Sequence, residues 1–311
     1  GYETVGAGKL FHHTAGNNPP SQWDHYRRLD FRDDPWFRES RENYPWVTPA
    51  PYPEPFPFGG VAGLGHENDW GVLPIADEQY DDHRSVDYAV EYLRGASERP
   101  FFLGCGVFRP HLPWYVPGRF FDLYPLDEIA LPQAPANDLD DVPEPGRKLA
   151  RAKRADLETI RSQGREREAV RAYLASISFA DEQIGRALDA LEASPVAERT
   201  IVVFWSDHGW HLGEKGHWHK STLWGEATRV PLVVAGPGVA PGRRDQPVSL
   251  LDLYPTVNEL CGFEPDPEHD GLSLAPLLAD PAAPRTVPAV VEFERGQCAV
   301  CDERYRYIRY E

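Results

Sequence analysis

The chain has 311 residues with a net charge of −17, and 12% of its residues are aromatic. This length and apolar content are enough for a large buried core, which excludes an intrinsically disordered chain. The negative charge argues against a nucleic-acid partner, because such a protein needs a basic face to neutralise phosphates. An anionic small molecule remains compatible, since a local cationic pocket can bind it. No stretch approaches the roughly 18 apolar residues of a bilayer-spanning helix, so we expect no transmembrane segment.

The sequence contains no methionine and opens inside a strand-like run, Gly1–Gly6. We therefore expect an N-terminally truncated chain, whose targeting signal would precede Gly1. Four cysteines include one isolated C-x-x-C pair, Cys298 and Cys301, which is too little for a structural zinc site. We expect these cysteines to be small packing residues.

A long loop, a helix and a strand are predicted next. Residues 14–77 are rich in Pro, Gly, Asn and Asp, which predicts a long ordered loop. From Glu78 to Ala96 the apolar positions follow the period of an amphipathic helix. The apolar run Phe101–Phe108 then predicts a buried strand, which ends at the loop Arg109–Trp114.

The second half begins with a charged segment, 138–164, that we expect to cross the surface. The best helix follows at 166–193, where Val170, Ile177, Leu188 and other apolar residues recur every 3.6 positions. The remaining predicted elements are strands at 200–205 and 230–235, a helix at 249–261, and two antiparallel strands at 289–293 and 305–310.

This alternation predicts an α/β fold with a mostly parallel central sheet flanked by helices, followed by a small antiparallel lobe. In such sheets the ligand site lies beyond the carboxyl ends of the strands. His111 and the pair Asp207-His208 both follow predicted strands. We therefore expect them at the same edge of the sheet.

Asp207 and His208 offer an oxygen and a nitrogen ligand where a strand turns into a loop. Gly209 gives the backbone the freedom for that turn, although the triplet alone would also suit an ordinary turn. The following segment to Lys220 is dense in His, Lys, Gly and Trp, which is typical of a loop that lines a site. Lys220 can offer a point charge to an oxyanion. His211, His217 and His219 remain unassigned.

Two upstream segments carry further candidates. Lys9 and the neighbouring His12 and His13 follow the first predicted strand, where a purely structural role is also open. His111 lies between Pro110 and Pro113, which fix the backbone around the imidazole.

Six segments together resemble the type I sulfatases of the alkaline phosphatase superfamily, most closely the iduronate sulfatase and choline-sulfatase-like branch. In chain order they are GAGKLFHH, FRPHLPW, AYLASISFADEQIG, TIVVFWSDHGWHLGEKGHWHK, TLWGEATRVPLVV and SLLDLYPTVNELCG. The resemblance implies an alkaline-phosphatase-like sandwich over residues 1–287 and the start of an antiparallel lobe at 288–311.

The resemblance also implies roles for the candidate residues. Asp207 and His208 would ligate one divalent cation, normally Ca²⁺, although Mn²⁺ or Mg²⁺ would satisfy coordination chemistry equally. The expected sulfate contacts are Lys220 and Lys9, with His12 beside the nucleophile and His111 at the leaving-group oxygen. Trp210 is expected at the substrate, with packing as its alternative. The family's nucleophile is a formylglycine.

Two family motifs are missing: the Asp-Asp metal pair after the first strand, and the C-x-P-x-R sequence that yields formylglycine. Cys105 and Arg109 have the right separation, but Val107 replaces the proline and the segment is a different one. We therefore do not assign Cys105 as the nucleophile. We expect truncation to explain both gaps, and the chain alone to be inactive.

Alternatives to a sulfatase remain. A phosphatase, phosphodiesterase or phosphonate hydrolase of the same superfamily would need further metal ligands in place of Lys9 and Lys220. A non-catalytic relative could use the nine tryptophans to stack on sugars. The expected partner is a sulfated glycan or small molecule, a carbohydrate being favoured, and the resemblance favours a periplasmic or secreted location. The oligomeric state is left undefined.

Overall fold

The computed structural model describes residues 1–11, 20–27, 57–65, 68–95, 99–280 and 282–310. The strands are, in chain order, β1 (Glu3–Gly8), β2 (His25–Arg27), β3 (Trp70–Gly71), β4 (Phe101–Gly106), β5 (Trp114–Tyr115), β6 (Val202–Trp205), β7 (His211–Leu212), β8 (Trp218–His219), β9 (Leu232–Ala235), β10 (Ala289–Glu292), β11 (Cys298–Cys301) and β12 (Arg306–Arg309). The helices are α1 (Asp81–Arg94), α2 (Gly118–Asp122), α3 (Glu144–Arg151), α4 (Arg154–Ser162), α5 (Glu166–Glu192), α6 (Gly225–Thr228), α7 (Leu253–Leu260) and α8 (Ala275–Ala279).

A parallel sheet in the order β2-β1-β4 forms the centre of one compact unit, Gly1–Leu131 with Asp156–Ala197. β1 and β4 pair in register from Glu3 opposite Phe101 to Gly8 opposite Gly106. Both strands therefore end at the same edge, and the residues that follow them leave the sheet together. Glycine is required there, because a Cβ on Gly8 would lie 2.1 Å from the carbonyl oxygen of Gly106.

Helix α1 covers this sheet with one apolar face. Val86, Val90 and Leu93 are buried against Phe101 and Leu103 of β4, with Ala190 of α5 completing the cluster. Burying such side chains contributes roughly 1.5–3 kcal/mol each. The predicted helix 78–96 and strand 101–108 are thereby confirmed in position.

Helix α5 matches the predicted helix 166–193, but its buried face is rotated from the predicted one. Ile177 and Leu188 are exposed, whereas Phe179 and Gln183 are buried. Small residues explain the shift, because the face that packs closely includes Ala169, Ala172, Ala175 and Ser176.

Strand β2 lies within residues 14–77, where only a loop was predicted. It pairs with β1 in parallel, from Val5 opposite His25 to Ala7 opposite Arg27. Three residues are too few to produce a strand signal amid Pro, Gly and Asn. Much of the predicted loop lies outside the described residues.

The second unit comprises Pro132–Ala155 and Glu198–Glu311. β6 and β9 confirm the predicted strands 200–205 and 230–235, and they pair in antiparallel fashion. β7 and β8 form a short hairpin directly after β6. Helix α7 lies within the predicted helix 249–261.

The charged segment 138–164 contains α3 and α4, neither of which was predicted from the sequence. Each helix buries only one or two apolar or small positions, such as Ala150 in α3 and Leu157 with Ile160 in α4. So narrow an apolar stripe is hidden by the many surrounding charges.

At the end of the chain, β10, β11 and β12 form an antiparallel sheet. β10 and β12 correspond to the predicted strands 289–293 and 305–310, while the central β11 was not predicted. Across the described part of the chain, the helices are too short or too polar to span a membrane. The expected α/β class is confirmed.

Candidate active site

The end of β6 brings Asp207 and His208 together. Ser206 Oγ donates to the carbonyl oxygen of His208 at 2.8 Å, which fixes the turn. The His208 ring lies against its own backbone, with Nδ1 donating to the carbonyl oxygen of Gly209 at 2.9 Å. The proton on Nδ1 leaves Nε2 as the basic ring nitrogen. Nε2 lies 3.8 Å from Asp207 Oδ1.

Gly209 is required by a close backbone approach. Its amide donates to the carbonyl oxygen of Ala227 at 2.7 Å, and a Cβ at this position would lie 2.0 Å from the carbonyl oxygen of Glu226. This contact anchors the turn that presents Asp207 and His208.

Lys220 joins this pair from 12 residues downstream. Its ammonium Nζ lies 2.8 Å from His208 Nε2. Asp207, His208, Lys220 and the neighbouring Trp210 therefore form one group. It combines a carboxylate, an imidazole and a cation within a few ångströms.

Two members of this group, Asp207 and His208, carry atoms that could bind a divalent cation. An oxygen and a nitrogen donor 3.8 Å apart can bind one ion together. The Asp207 side chain is 57% exposed, so its oxygens are accessible. Within the described ranges, no cluster of three or more His, Cys, Asp or Glu side chains is arranged to hold a metal. The pair thus offers two donor atoms, fewer than the roughly four to eight ligands that a divalent cation usually takes.

The hairpin from β7 to β8 is built on two buried histidines. His211 Nδ1 donates to the carbonyl oxygen of Glu214 at 3.3 Å, and its Nε2 accepts from Thr222 Oγ1 at 2.7 Å. His217 Nδ1 donates to the carbonyl oxygen of Ala150 at 3.0 Å. Burial lowers the pKa of His211 to about 3 and also lowers the pKa of His217. Both are neutral supports of the hairpin.

Asp138 holds the turn of the same hairpin. Its carboxylate accepts from the Lys215 amide at 3.1 Å and from Lys215 Nζ at 2.5 Å. Lys215 has a positive φ of 57°, a conformation disfavoured for a residue with a side chain. The two bonds to Asp138 compensate for that cost.

Trp210 lies beside the imidazoles of His208 and His219, with ring centroids 6.1 and 5.1 Å apart. It is only 7% exposed, so a substrate could meet no more than its edge. Trp114, for which a pocket wall and packing were both open, is fully buried against Tyr173. Its Nε1 donates to the carbonyl oxygen of Pro110 at 2.8 Å, which makes it a packing residue.

The second group of candidates lies at the ends of β1 and β4. The Lys9 amide donates to the carbonyl oxygen of Gly106 at 3.0 Å, and its Nζ lies 6.0 Å from the centre of the Phe108 ring. The His111 ring is 5.0 Å from the same phenyl ring. Lys9 and His111 thus share Phe108 as a neighbour. His12 lies outside the described residues.

The orientation of His111 is fixed by its own loop. Its amide donates to the carbonyl oxygen of Phe108 at 3.1 Å, and Nδ1 donates to the carbonyl oxygen of Leu112 at 2.7 Å. Nε2 is then the basic nitrogen that can exchange a proton with a bound molecule.

Two carboxylates at the start of α1 were not predicted as part of the site. Asp81 and Asp82 are buried, and burial raises the pKa of Asp81 to about 7. Asp82 forms an ion pair with Arg109, two residues before His111. The sequence signal available was Arg109 at the start of the predicted site loop, which would need an acidic partner if buried. Acidic residues at the start of α1 do not by themselves indicate that partner, because the helix dipole favours them at any helix N-terminus. Burial raises the pKa of the Cys105 thiol to about 12, which disfavours its thiolate form.

Comparisons with known proteins agree on one family. The sequence model of the sulfatase family matches residues 1–263. A sulfatase from Formosa agariphila is 36% identical over 100% of this chain and 60% of its own length. A choline-sulfatase from Rhizobium meliloti is 36% identical over 74% of this chain and 46% of its own. Human iduronate 2-sulfatase is 29% identical over 86% of this chain and 54% of its own.

Among solved structures, a phosphonate monoester hydrolase from Silicibacter pomeroyi superposes with a TM-score of 0.73 at 19% identity. It covers 99% of this chain and 69% of its own length. At this identity the likeness concerns the fold alone. The chain spans 46–60% of the length of the three sequence relatives.

Proposed function

The chain belongs to the sulfatase family, and we propose that the whole protein hydrolyses a sulfate ester with the help of a bound divalent cation. One observation carries the proposal. The Lys220 ammonium lies 2.8 Å from His208 Nε2, and that nitrogen lies 3.8 Å from the Asp207 carboxylate. A pair of metal donors beside a fixed cation suits an oxyanion that touches both.

Asp207 and His208 would hold the cation, with Ca²⁺ expected from the resemblance and the remaining ligands supplied by residues beyond this pair. When bound, the cation would withdraw charge from a sulfate oxygen. Gly209 and Ser206 would keep both donors in place through their backbone and hydroxyl contacts. The proton on Nδ1 of His208 would leave Nε2 as the nitrogen with a free lone pair.

The lysines and His111 would act on the ester itself. Lys220 would bind a sulfate oxygen as a point charge, and Lys9 would do so from the end of β1. His111 would act in its doubly protonated form, giving the proton on Nε2 to the leaving-group oxygen, while Nδ1 keeps its own proton in the bond to Leu112 that fixes the ring. His12 is proposed beside the nucleophile. The nucleophile itself would be a formylglycine, for which this sequence has no C-x-P-x-R motif.

The proposed substrate is a sulfated carbohydrate, with Trp210 at its edge. The iduronate 2-sulfatase relative supports a sugar, whereas the choline-sulfatase relative supports a small alcohol. We further propose a periplasmic or secreted location, because many members of this family act there.

The test is an assay of the whole protein, expressed from its complete reading frame, on aryl sulfates. Lys220→Ala should lower kcat/KM on the order of 100-fold, the usual effect of losing one oxyanion contact. Lys148→Ala removes the same charge from an exposed position of the same unit and should leave kcat/KM unchanged. Chelation should abolish turnover, and Ca²⁺ should restore it. Equal activity of both variants would refute the role of Lys220.

A phosphonate or phosphate ester hydrolase is the second candidate, because the Silicibacter pomeroyi structure shares this fold over 99% of the chain. Measuring kcat/KM for aryl sulfate, phosphate and phosphonate esters side by side discriminates between the two. We expect the sulfate to be preferred, since the residue beside the Asp207-His208 pair is a lysine, Lys220, rather than a further metal ligand.

A further inference from the structure

The loop that carries His111 is held by a carboxylate from another element. Asp82, the second residue of α1, accepts from the amide of Phe108 at 2.5 Å and from the amide of Arg109 at 3.2 Å. The same carboxylate accepts from Arg109 Nη1 at 3.4 Å. One buried side chain therefore fixes two successive amides just after β4 ends.

Arg109 extends this attachment to the far end of the loop. Its Nη2 donates to the carbonyl oxygen of Tyr115 in β5 at 3.1 Å. The guanidinium thus ties the entry of the loop to its exit, and His111 lies between these two points. Movement of Phe108 would also move the His111 ring, because the two are 5.0 Å apart and joined by a backbone hydrogen bond.

A buried ion pair is a poor device for stability alone, since desolvation of both charges offsets much of their attraction. The side chains of Asp82 and Arg109 are 2% and 0% exposed. What such a pair does supply is direction, because charge-assisted hydrogen bonds have short and narrow geometry. The pair thereby fixes the geometry of a loop that carries one chemically reactive side chain, His111.

We propose that Asp82 and Arg109 are positioning residues that aim His111 Nε2 at the leaving-group oxygen of the ester. This inference rests on the proposed role of His111. It assigns the two residues an effect on one step, the departure of the alcohol, and none on the binding of the sulfate group.

The dependence on leaving group isolates that step. A nitrophenyl sulfate has a good leaving group and needs little protonation, whereas an alkyl sulfate depends on it strongly. Misplacing His111 should therefore lower kcat for the alkyl ester much more than for the aryl ester. A loss of folded protein would lower both equally.

The chain offers a matched control for the substitution. Asp252 and Arg285 form another buried ion pair, 2.7 Å apart, and Asp252 likewise accepts from two backbone amides, those of Ser249 and Leu272. This pair holds a loop without any candidate site residue. Asp82→Asn and Asp252→Asn thus break comparable pairs in different surroundings.

The experiment compares kcat of the whole protein for both esters in Asp82→Asn, Asp252→Asn and His111→Gln. We expect Asp82→Asn to reduce kcat for the alkyl ester about tenfold more than for the aryl ester, as small misplacements do. Asp252→Asn should lower Tm without changing this ratio. Arg109→Lys, which keeps the charge but loses the fork, should show a smaller change of the same kind and serves if Asp82→Asn does not fold.

The outcomes separate the two claims. If His111→Gln changes the ratio but neither Asp82→Asn nor Arg109→Lys does, the positioning role is refuted and the role of His111 stands. If His111→Gln leaves the ratio unchanged, the proposed role of His111 is refuted, and the positioning inference with it.

Discussion

Acid should destabilise the protein through the buried His211. Its ring makes two hydrogen bonds in the neutral form and has a pKa of about 3 in the fold, against about 6.5 in an unfolded chain. The unfolded state therefore takes up a proton as pH falls below about 6.5, whereas the folded state does not. Stability attributable to this group is present above that pH and is lost as pH falls toward about 3.

The size of the effect follows from the two protonation equilibria. Lowering the pH from 7 to 5 stabilises the unfolded state, through protonation of His211, by RT ln(32.6/1.32), or about 2 kcal/mol. The ring remains neutral in the folded state, so the free energy of unfolding falls by the same amount. His217, whose pKa is also lowered, acts in the same direction. Between pH 7 and pH 5, the free energy of unfolding of a variant without His211 should therefore fall by about 2 kcal/mol less than that of the natural protein.

Urea unfolding of the whole protein, followed by tryptophan fluorescence at pH 7 and pH 5, measures this difference. His211→Gln keeps a polar side chain without a titratable ring, and Thr222→Val serves as the control. Thr222→Val removes the hydroxyl that His211 accepts from, so it should cost roughly 1–3 kcal/mol at pH 7 while His211 still titrates. Equal pH dependence in His211→Gln and the natural protein would refute the assignment of His211 as a buried neutral ring.

Two further substitutions test the site supports. Asp81→Asn should act in the opposite direction on the pH profile: burial raises the pKa of Asp81 to about 7, so its ionisation destabilises the fold as pH rises from about 4 to about 7. At pH 8 the free energy of unfolding of the variant should exceed that of the natural protein by up to about 4 kcal/mol more than it does at pH 4. The same dependence of the free energy of unfolding on pH in both proteins, measured by urea unfolding, would contradict this. Gly209→Ala should cost roughly 1–3 kcal/mol by calorimetry, because its methyl would meet the carbonyl oxygen of Glu226 at 2.0 Å. Gly185→Ala in helix α5 meets no atom within 4 Å and should stabilise by about 1 kcal/mol, so a loss in both variants would exclude the contact as the cause.

The long elements were predictable because their signals are local. Helix α5 has a sustained 3.6-residue period over 27 residues, and β4 is a continuous apolar run. Strands β2 and β11 were not predicted, since each owes its conformation to pairing with neighbours rather than to its own composition. The rotated face of α5 has the same origin: Ala175 is buried in a cluster with Tyr80 and Tyr115, whereas Ile177 is exposed, although a hydrophobicity pattern ranks the two residues the other way.

The site was predictable where its residues are consecutive and reactive. Asp207, His208 and Lys220 are brought together as the sequence suggested, because a strand end and a short hairpin determine their placement. Their catalytic and metal-binding roles stay predictions. The neutral supports His211 and His217 could not be told from ligands by sequence, since only burial decides which histidines are able to bind a proton or a metal.

The remaining supports are distant in sequence, and this explains why motif analysis does not find them. Asp82 precedes Phe108 by 26 residues, and Asp138 precedes Lys215 by 77. In both places an aspartate from a charged segment accepts from a backbone amide and a cation of a site loop. A surface aspartate and an anchoring one have the same sequence context, because a solvated carboxylate and a hydrogen-bonded one differ only in what the fold brings to them. Substitution of Asp82 is therefore expected to displace the loop of His111, and substitution of Asp138 to displace the hairpin from β7 to β8. Neither substitution removes one of the proposed reacting groups.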